Sequence, residues 1–515
     1  MWTFRKCRTT YRVLGALTAL AAVLCAGPVE AEDSDRQTSD RVLSERIRQE
    51  LTEDPGVTVD EIQIDVSDRI VTLDGTVGTL MSKDRAAAIT ETIRGVRSVV
   101  NMIQVLPDGQ ASDEDIRRDI EAAWLSDPAT DSYEVKAQVR DGMATLSGAV
   151  DSYPERDLCE HVARTVRGVT AVQNNIRVNY KSTRDDREIA AEIRRLHHFN
   201  AYIDRASQID VRVKDGKVTL RGTVGSVAER TRATDDAWVA GVRDVAVDDL
   251  QVNVWAKDSL RRKRKNPVVS DAALTQAVKD ALLHDPRVNM FDIKVTSDLR
   301  RVTLRGEVDN LKARRSAVQD ARNTYGVWHV YDRITVVPNE DVSDAAIKQK
   351  VKRAIRRNPL LDPYRIDVAV RSGNVRLTGT VDTYFEKAQA DDLASTVHGV
   401  GFVNNDLDVN YGDTGLSYYP FTDPVYPRDL DWYDFEPTAT TKSDKEIRNE
   451  IRDELWWSPF VDADQVAVTV EDGTATLTGA VDSWFERQKA SENAREGGAV
   501  HVVNNLTFVD QTEIE

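Results

Sequence analysis

The 515-residue chain is acidic, with 69 Lys and Arg residues against 86 Asp and Glu residues and a formal net charge of −17 at pH 7. This balance argues against wholesale nucleic-acid binding, because such binding depends on neutralising phosphates with Lys and Arg. Hydrophobic residues make up 41% of the chain and aromatic residues only 6%. These proportions are typical of several small solvated domains rather than of one large enzyme core.

The first 31 residues are predicted to form a secretory signal peptide. They begin with four basic residues, Arg5, Lys6, Arg8 and Arg12. An apolar run of 15 residues from 13 to 27 follows, and Val29-Glu30-Ala31 offers a small-residue cleavage site. The run is shorter than the roughly 20 residues that a spanning helix needs, so we predict cleavage, with an uncleaved anchor as the alternative. The expected location is the periplasm or the cell envelope.

Cleavage would change both the charge and the cysteine content of the chain. The segment carries a net charge of +3, so the remaining chain has a formal net charge of −20. Cys7 and Cys25 would leave with it, and a lone Cys159 cannot form an intramolecular disulfide. A lipoprotein anchored through Cys25 is not expected, because Ala22 and Leu24 stand where such signals carry leucine and a small residue.

A pattern of turn, short strand and closing glycine occurs six times, most clearly in Asp141–Val150. The closing glycines are Gly75, Gly148, Gly222, Gly306, Gly379 and Gly479. Three of the five intervals between them are 73 or 74 residues, which indicates an array of repeats. Each glycine is expected to have a structural role, where a strand ends or bulges or where backbone approaches closely.

Every repeat except the third opens with a Ser-Asp pair, which is typical of a helix N-cap. The serines are Ser39, Ser112, Ser270, Ser343 and Ser443. Apolar residues four and eight positions beyond each serine predict a helix with one face toward a core. A proline 16 residues beyond each serine is expected to end that helix. Repeat three lacks both the serine and the proline and is the degenerate copy.

Two strands, a second helix and a last strand follow. In repeat five, apolar residues alternate on both sides of a Ser372-Gly373-Asn374 turn, which predicts a β-hairpin. Capping boxes are predicted to start the second helix at Ser152–Glu155, Ser226–Glu229, Thr383–Glu386 and Ser483–Glu486. The chain is therefore predicted to be an α+β tandem array of six α-β-β-α-β modules. Each module would have a three-stranded sheet with two helices on one face.

These features together resemble the BON family, named for bacterial osmotically inducible and nodulation proteins. The resemblance depends on the Ser-Asp helix start, on the hairpin with Gly148 and its counterparts, and on the Gly-Val pair before the last strand. It implies attachment to phospholipid membranes or other envelope components and a role in osmotic or envelope-stress protection. The expected repeats are 39–106, 112–180, 185–255, 270–337, 343–411 and 443–510. The expected linkers are a basic one at 256–269 and an aromatic, proline-rich one at 412–442.

Two basic segments are the candidate contacts with a membrane or another anionic surface. The first is the run Arg261, Arg262, Lys263, Arg264 and Lys265. The second is the first helix of repeat five, with Lys348, Lys352, Arg353, Arg356 and Arg357. Trp456 and Trp457 end the first helix of repeat six, and either interfacial insertion or packing between modules would explain them.

The sequence contains no motif that predicts an enzyme, a metal site or a cofactor. His197 and His198 are expected to face solvent on the degenerate helix, and Cys159 is expected to be a buried structural thiol. The favoured function is multivalent attachment to a phospholipid surface or to envelope proteins, since weak modules in series gain avidity. A chaperone-like protein that shields unfolded clients and a structural spacer are the alternatives. The oligomeric state remains open, and neither nucleic acid nor a small-molecule substrate is an expected partner.

Overall fold

The computed structural model describes residues 39–107, 109, 111–130, 133–180, 184–204, 206–253, 269–338, 342–361, 364–410 and 442–508. The predicted signal peptide, the basic run 261–265 and the aromatic linker from 412 to 441 lie outside these residues. Within them, one α-β-β-α-β unit occurs six times, which confirms the predicted α+β array. We number the units modules 1 to 6.

Each module begins with one helix and has a second helix after its hairpin. The first helices are α1 (Asp40–Glu53), α3 (Asp113–Trp124), α5 (Asp186–Phe199), α7 (Asp271–His284), α9 (Asp344–Arg357) and α11 (Asp444–Trp457). The second helices are α2 (Leu80–Glu91), α4 (Tyr153–Arg164), α6 (Val227–Asp235), α8 (Leu311–Arg322), α10 (Tyr384–Ser395) and α12 (Trp484–Glu496).

The hairpins precede the second helices and the last strands follow them. The hairpins are β1–β2 (Ile62–Ser67, Ile70–Val77), β5–β6 (Glu134–Arg140, Met143–Val150), β8–β9 (Ile209–Lys214, Lys217–Val224), β12–β13 (Lys294–Asp298, Arg301–Val308), β15–β16 (Ile366–Arg371, Asn374–Val381) and β18–β19 (Val466–Glu471, Thr474–Val481). The last strands are β3 with β4 (Ser98–Asn101, Gln104–Val105), β7 (Ala171–Val178), β10 with β11 (Asp244–Ala246, Leu250–Val252), β14 (His329–Val336), β17 (Phe402–Val409) and β20 (His501–Phe508).

The second hairpin strand is the centre of every sheet. In module 5, β16 pairs antiparallel with β15 and parallel with β17, giving the order β15-β16-β17. Alternate residues of the central strand, such as Val375 and Leu377, are buried, as period-two patterning requires. Val351 and Ala394, one from each helix, are buried in the same core. Each module thus has one covered and one outward sheet face.

The aspartate after each helix-capping residue has a second role that the sequence did not reveal. In module 2, the Asp113 carboxylate accepts hydrogen bonds from the backbone N–H groups of Asp141 and Gly142, at 2.9 and 3.0 Å. The same pair of bonds recurs in every module, with Asp40, Asp186, Asp271, Asp344 and Asp444 as the acceptors. The carboxylate therefore ties the start of the first helix to the hairpin turn.

Replacing Asp113 with alanine is expected to destabilise module 2 by about 1.5–3 kcal/mol, the usual contribution of hydrogen bonds to a charged group. The measurement is urea unfolding followed by circular dichroism, with hydrogen exchange of the 141–142 turn as a local readout. Glu114→Ala, one residue along the same helix, is the control and should shift the unfolding midpoint only slightly, since it removes just an exposed ion pair with Arg117. Equal losses in the two variants would contradict this role for Asp113.

The closing glycines lie inside the central strands at a point of close backbone approach. A Cβ on Gly222 would lie 1.9 Å from the carbonyl oxygen of Gln208, and the φ of Gly222 is +128°. A Cβ on Gly148 would meet the Glu134 carbonyl oxygen at 2.2 Å. Gly306 is the mildest case, with 2.8 Å to Asp292 O and no positive φ. Only glycine fits these positions without displacing the first strand.

Two of the four predicted capping boxes at the second helices form as expected, at Ser152 and Thr383. In the other two modules the N-cap serine accepts its bond, but the glutamate binds different backbone groups. Glu229 accepts from Asp204 N and Gly225 N, at 3.0 and 2.7 Å. Glu486 makes the corresponding bonds to Asp462 N and Asp482 N, at 2.9 and 2.8 Å. These glutamates thus accept hydrogen bonds from part-buried loop N–H groups.

Modules that are distant in sequence pack against each other through their helices. In modules 1, 2, 4 and 5, the backbone N–H that lies 19 residues after the closing glycine donates to a carbonyl oxygen at, or just beyond, the end of another module's first helix. These bonds are Arg94 N to Trp457 O, Arg167 N to Arg357 O, Tyr325 N to Phe199 O and His398 N to Ser126 O, at 2.6 to 3.3 Å. They join module 1 to 6, 2 to 5 and 3 to 4.

The second helices of modules 1, 2 and 3 also contact one another. Arg164 of α4 pairs with Asp84 of α2 at 2.7 Å. Thr231 of α6 donates to Glu91 of α2 at 3.2 Å. Tyr153 stacks on Trp238 with ring centroids 3.9 Å apart. Modules 1, 2 and 3 therefore form a closed triangle.

Module 4 contacts modules 5 and 6 in a related way. Lys312 of α8 pairs with Asp392 of α10 at 2.7 Å, and Arg322 lies over the ring of Trp484 at 4.6 Å. The pairs 1–6, 2–5 and 3–4 then join the first three modules to the last three.

Candidate functional site

Two basic segments were predicted to contact an anionic surface. The structure describes one of them, the basic face of α9. Arg353 and Arg356 are exposed, and Lys348 and Lys352 are half-buried. None of these four side chains forms an ion pair with another described residue. On α3, by contrast, Arg117 pairs with acids three positions before it and four after it. Helix α9 thus presents positive charge that its own module does not neutralise.

Arg357 does not belong to this face. It is buried between modules 2 and 5, where its guanidinium donates to Ser126 Oγ at 3.1 Å and its carbonyl oxygen accepts from Arg167 N. Burial lowers the pKa of Arg357 to about 10. The sequence pattern could not separate it from Arg353 and Arg356, because its surroundings come from another module. The run Arg261–Lys265 lies outside the described residues.

The two tryptophans at the end of α11 pack between modules 1 and 6. Arg94 lies over the ring of Trp456 at 4.7 Å, and Arg46 lies 5.7 Å from the ring centroid of Trp457. Trp457 is buried. Of the two explanations that the sequence left open, packing between modules is therefore the one observed.

Two other residues singled out from the sequence lie in module interiors. His197 is buried, with Nε2 2.8 Å from Ala233 O, so the expectation that both histidines face solvent is wrong for His197. Burial lowers the pKa of His197. Cys159 is buried, and burial raises its thiol pKa to about 12, which makes it a poor nucleophile.

Within the part of the chain that the structure describes, no three His, Cys, Asp or Glu side chains are placed to hold a metal ion. No helix there is both long and apolar enough to cross a membrane.

The chain is a modular α+β repeat protein. It has six α-β-β-α-β units, each with its first helix hydrogen-bonded to its hairpin turn, and the units pack against each other through their helices. The chain belongs to the BON domain family, whose family model matches residues 39–107, 112–180, 185–254, 270–338, 343–411 and 443–510. The resemblance drawn from the sequence is thereby confirmed.

Individual relatives match smaller parts of the chain. It is 31% identical over 145 residues to Osmotically-inducible protein Y of Escherichia coli strain K12, covering 27% of this chain and 72% of that protein. Solved structures of CdsD, a structural protein of the type III secretion system of Chlamydia trachomatis, also match. One is 14% identical, covers 42% of this chain and 95% of that chain, and has a TM-score of 0.12. The other, a C-terminal domain, is 14% identical, covers 41% and 98%, and has a TM-score of 0.11. The similarity to these two solved structures, at TM-scores of 0.12 and 0.11, carries no argument about function.

Proposed function

We propose that this chain is an exported, non-enzymatic protein of the cell envelope that acts under osmotic stress and attaches to anionic phospholipid surfaces. Family membership and the similarity to an osmotically inducible protein support the physiological part. The basic face of α9 supports the attachment, because Lys352, Arg353 and Arg356 form no ion pair with any described residue, in a chain of net charge −17. Against a negative membrane, each contributes about 1 kcal/mol of attraction.

Charge reversal on this face is the direct test. The triple variant Lys352→Glu, Arg353→Glu, Arg356→Glu is expected to weaken binding to vesicles of phosphatidylglycerol and phosphatidylcholine by at least about 100-fold, because about 3 kcal/mol of attraction is lost and the three new carboxylates are repelled. The measurement is vesicle cosedimentation at low ionic strength. Binding should fall further as salt is raised, since screening shortens the reach of surface charges.

The matched control reverses three basic residues elsewhere in module 5, so the net charge changes equally but the face of α9 stays intact. Arg365, just before β15, and Arg371 and Arg376 on the hairpin strands are exposed in the same module, and reversing all three changes the net charge by the same amount. This variant should keep most of the vesicle binding. Equal loss in both variants would mean that total charge, not the face of α9, governs attachment. No binding by the unaltered chain would refute the attachment.

A second candidate function is client shielding, which the outward sheet face of module 1 favours. Ile70 and Val100 are exposed on that face, and Met102 and Leu106 are exposed in the segment that follows. Ile70 and Val100 lie on paired strands, with Ile70 opposite Ser98 and Thr72 opposite Val100, and exposed apolar neighbours of this kind can mark surfaces that contact other molecules. If shielding is the function, the chain suppresses aggregation of a heat-unfolded enzyme and the pair Ile70→Ser, Val100→Thr suppresses it less. No suppression by the unaltered chain would eliminate this candidate.

A further inference from the structure

The outward sheet face of module 4 is basic. Alternate residues of β12, β13 and β14 are buried on the helix side, so the residues between them point outward. The exposed charged residues on the outward side are four cations and two acids: Lys294, Arg301, Arg305, Arg333, Asp298 and Glu307. None of the four cations forms an ion pair with another described residue.

The strand register brings three of these cations into one row. Lys294 of β12 lies opposite Arg305 of β13, and Arg305 lies opposite Arg333 of β14. Neighbouring strands are about 4.8 Å apart, so the row crosses the sheet with like charges side by side. Because like charges on directly paired positions destabilise a sheet, this row favours contact with an acidic partner.

Outward arginines of other modules are neutralised locally. In module 3, Arg212 pairs with Asp210 and Arg221 pairs with Asp249, at 2.7 and 2.9 Å. In module 5, Arg376 pairs with Asp406. The charge of the module 4 row is therefore not a general property of these sheets.

The same face also has an aromatic side chain beside the cations. Tyr331 is 41% exposed, lies opposite Thr303, and has its ring 4.5 Å from that of His329. Exposed arginines bind the faces of aromatic rings as well as carboxylates. The partner that fits this face is therefore both acidic and aromatic.

The chain itself contains a segment with this chemistry. Residues 411–441, between modules 5 and 6, include six acidic residues and one basic residue, Arg428. Eight of these 31 residues are aromatic, against 6% of the whole chain. Flexible linkers are poor in aromatic residues, whereas aromatic side chains favour burial against another surface. The composition of the segment therefore complements that of the face.

The segment joins two modules that both contact module 4. Module 5 contacts it through Asp392 and Lys312, and module 6 through Phe508, whose ring stacks on Trp328 with centroids 5.4 Å apart. Trp328 directly precedes His329 of the basic face. An extended chain of 31 residues spans up to about 100 Å, and a module of this size is about 30 Å across. The segment is thus long enough to cross the face of module 4 on its way from module 5 to module 6.

We propose that residues 411–441 bind the outward sheet face of module 4. Their carboxylates contact the row formed by Lys294, Arg305 and Arg333, and their aromatic rings pack on Tyr331 and the exposed arginines. Attachment at both ends gives the segment a high effective concentration at this face. The net charge of −17 also disfavours the approach of an external polyanion.

Carbodiimide cross-linking of the full chain, followed by mass spectrometry, tests this contact, because the reagent joins carboxylates to amines that lie against them. Lys294 is expected to be cross-linked to an acidic residue within 411–441. Lys136 of module 2 is the matched control, since it is exposed and, like Lys294, lies opposite the residue before a closing glycine. It should give no cross-link to the segment.

Reversing charges on the face should release the segment. The double variant Arg305→Glu, Arg333→Glu is expected to reduce the Lys294 cross-link about tenfold, because carboxylates then face carboxylates. It should also raise the rate of tryptic cleavage after Arg428 about tenfold, since cleavage depends on the unbound fraction. The control pair Lys136→Glu, Arg140→Glu makes the same charge change on the exposed strand β5 of module 2 and should alter neither readout.

Several results would overturn the proposal. These are no cross-link at Lys294, an equal cross-link at Lys136, a cross-link that survives the double reversal, or cleavage after Arg428 that the reversal does not change. Mixing isotopically light and heavy chains identifies the source of the carboxylate, and cross-links between light and heavy chains would mean that a second copy covers the face instead. The vesicle experiments use the face of α9, so their outcome is independent of this one.

Discussion

Replacing Gly222 with alanine is expected to destabilise module 3 by about 2–6 kcal/mol. Alanine at φ +128° occupies a strained backbone region, which costs about 1–3 kcal/mol. The new Cβ would also lie 1.9 Å from the Gln208 carbonyl oxygen, and relieving this overlap by moving β8 costs a further 1–3 kcal/mol or so. Hydrogen exchange should show faster exchange in β8 and β9, and urea unfolding should begin at a lower concentration.

Other glycines of the same chain provide the controls for this experiment. Gly306→Ala should cost less than Gly222→Ala, because its Cβ would lie 2.8 Å from a carbonyl oxygen and its φ is not positive. Gly78→Ala should be nearly neutral, since nothing lies within 4 Å of its added Cβ. If the three variants destabilise the protein equally, close backbone approach is not what requires the closing glycine.

Removing Arg287 alone is expected to cost about 3–5 kcal/mol of stability, as is usual when one partner of a buried ion pair is deleted. Arg287 of module 4 donates to both carboxylate oxygens of Asp127 in module 2, at 2.9 and 3.2 Å. The side chains of Arg287 and Asp127 are only 7% and 8% exposed. Arg287→Met therefore leaves a buried carboxylate without its cation. Urea unfolding monitored by circular dichroism measures the loss.

The double variant Asp127→Leu, Arg287→Met distinguishes the charge from the packing. It should recover most of the stability, because apolar replacement of both partners removes the uncompensated charge. If the double variant is as unstable as the single one, the loss comes from disturbed packing between modules 2 and 4 and not from the unpaired carboxylate.

The local structure of this protein can be predicted from its sequence to a large extent. Period-two and helical patterns around Leu377 and Val351 fix the strands and helices, since each module buries one face of each element. The Ser-Asp pair predicts the helix start, but the pattern does not show that Asp113 also holds the turn 28 residues later. That role depends on how the hairpin folds back, and a one-dimensional spacing does not describe it.

The arrangement of the modules could not be predicted in this way. Asp127 and Arg287 are 160 residues apart, and nothing in the repeat pattern pairs them. Arg357 has the same residue type and the same helix as Arg356, yet only Arg356 is exposed. Differences between repeats, which carry no periodic signal, decide these contacts.

The pairing of modules 3 with 4, 2 with 5 and 1 with 6 also has a consequence for the order of assembly. The pairs are nested, so each one closes a longer loop than the pair inside it, and loop closure becomes entropically less favourable with length. We expect modules 3 and 4 to associate first during folding and modules 1 and 6 last. As the N-terminal half of the chain is synthesised first, modules 1, 2 and 3 can complete their triangle before module 6 exists. The contact between modules 1 and 6 is then the last of these inter-module contacts to form.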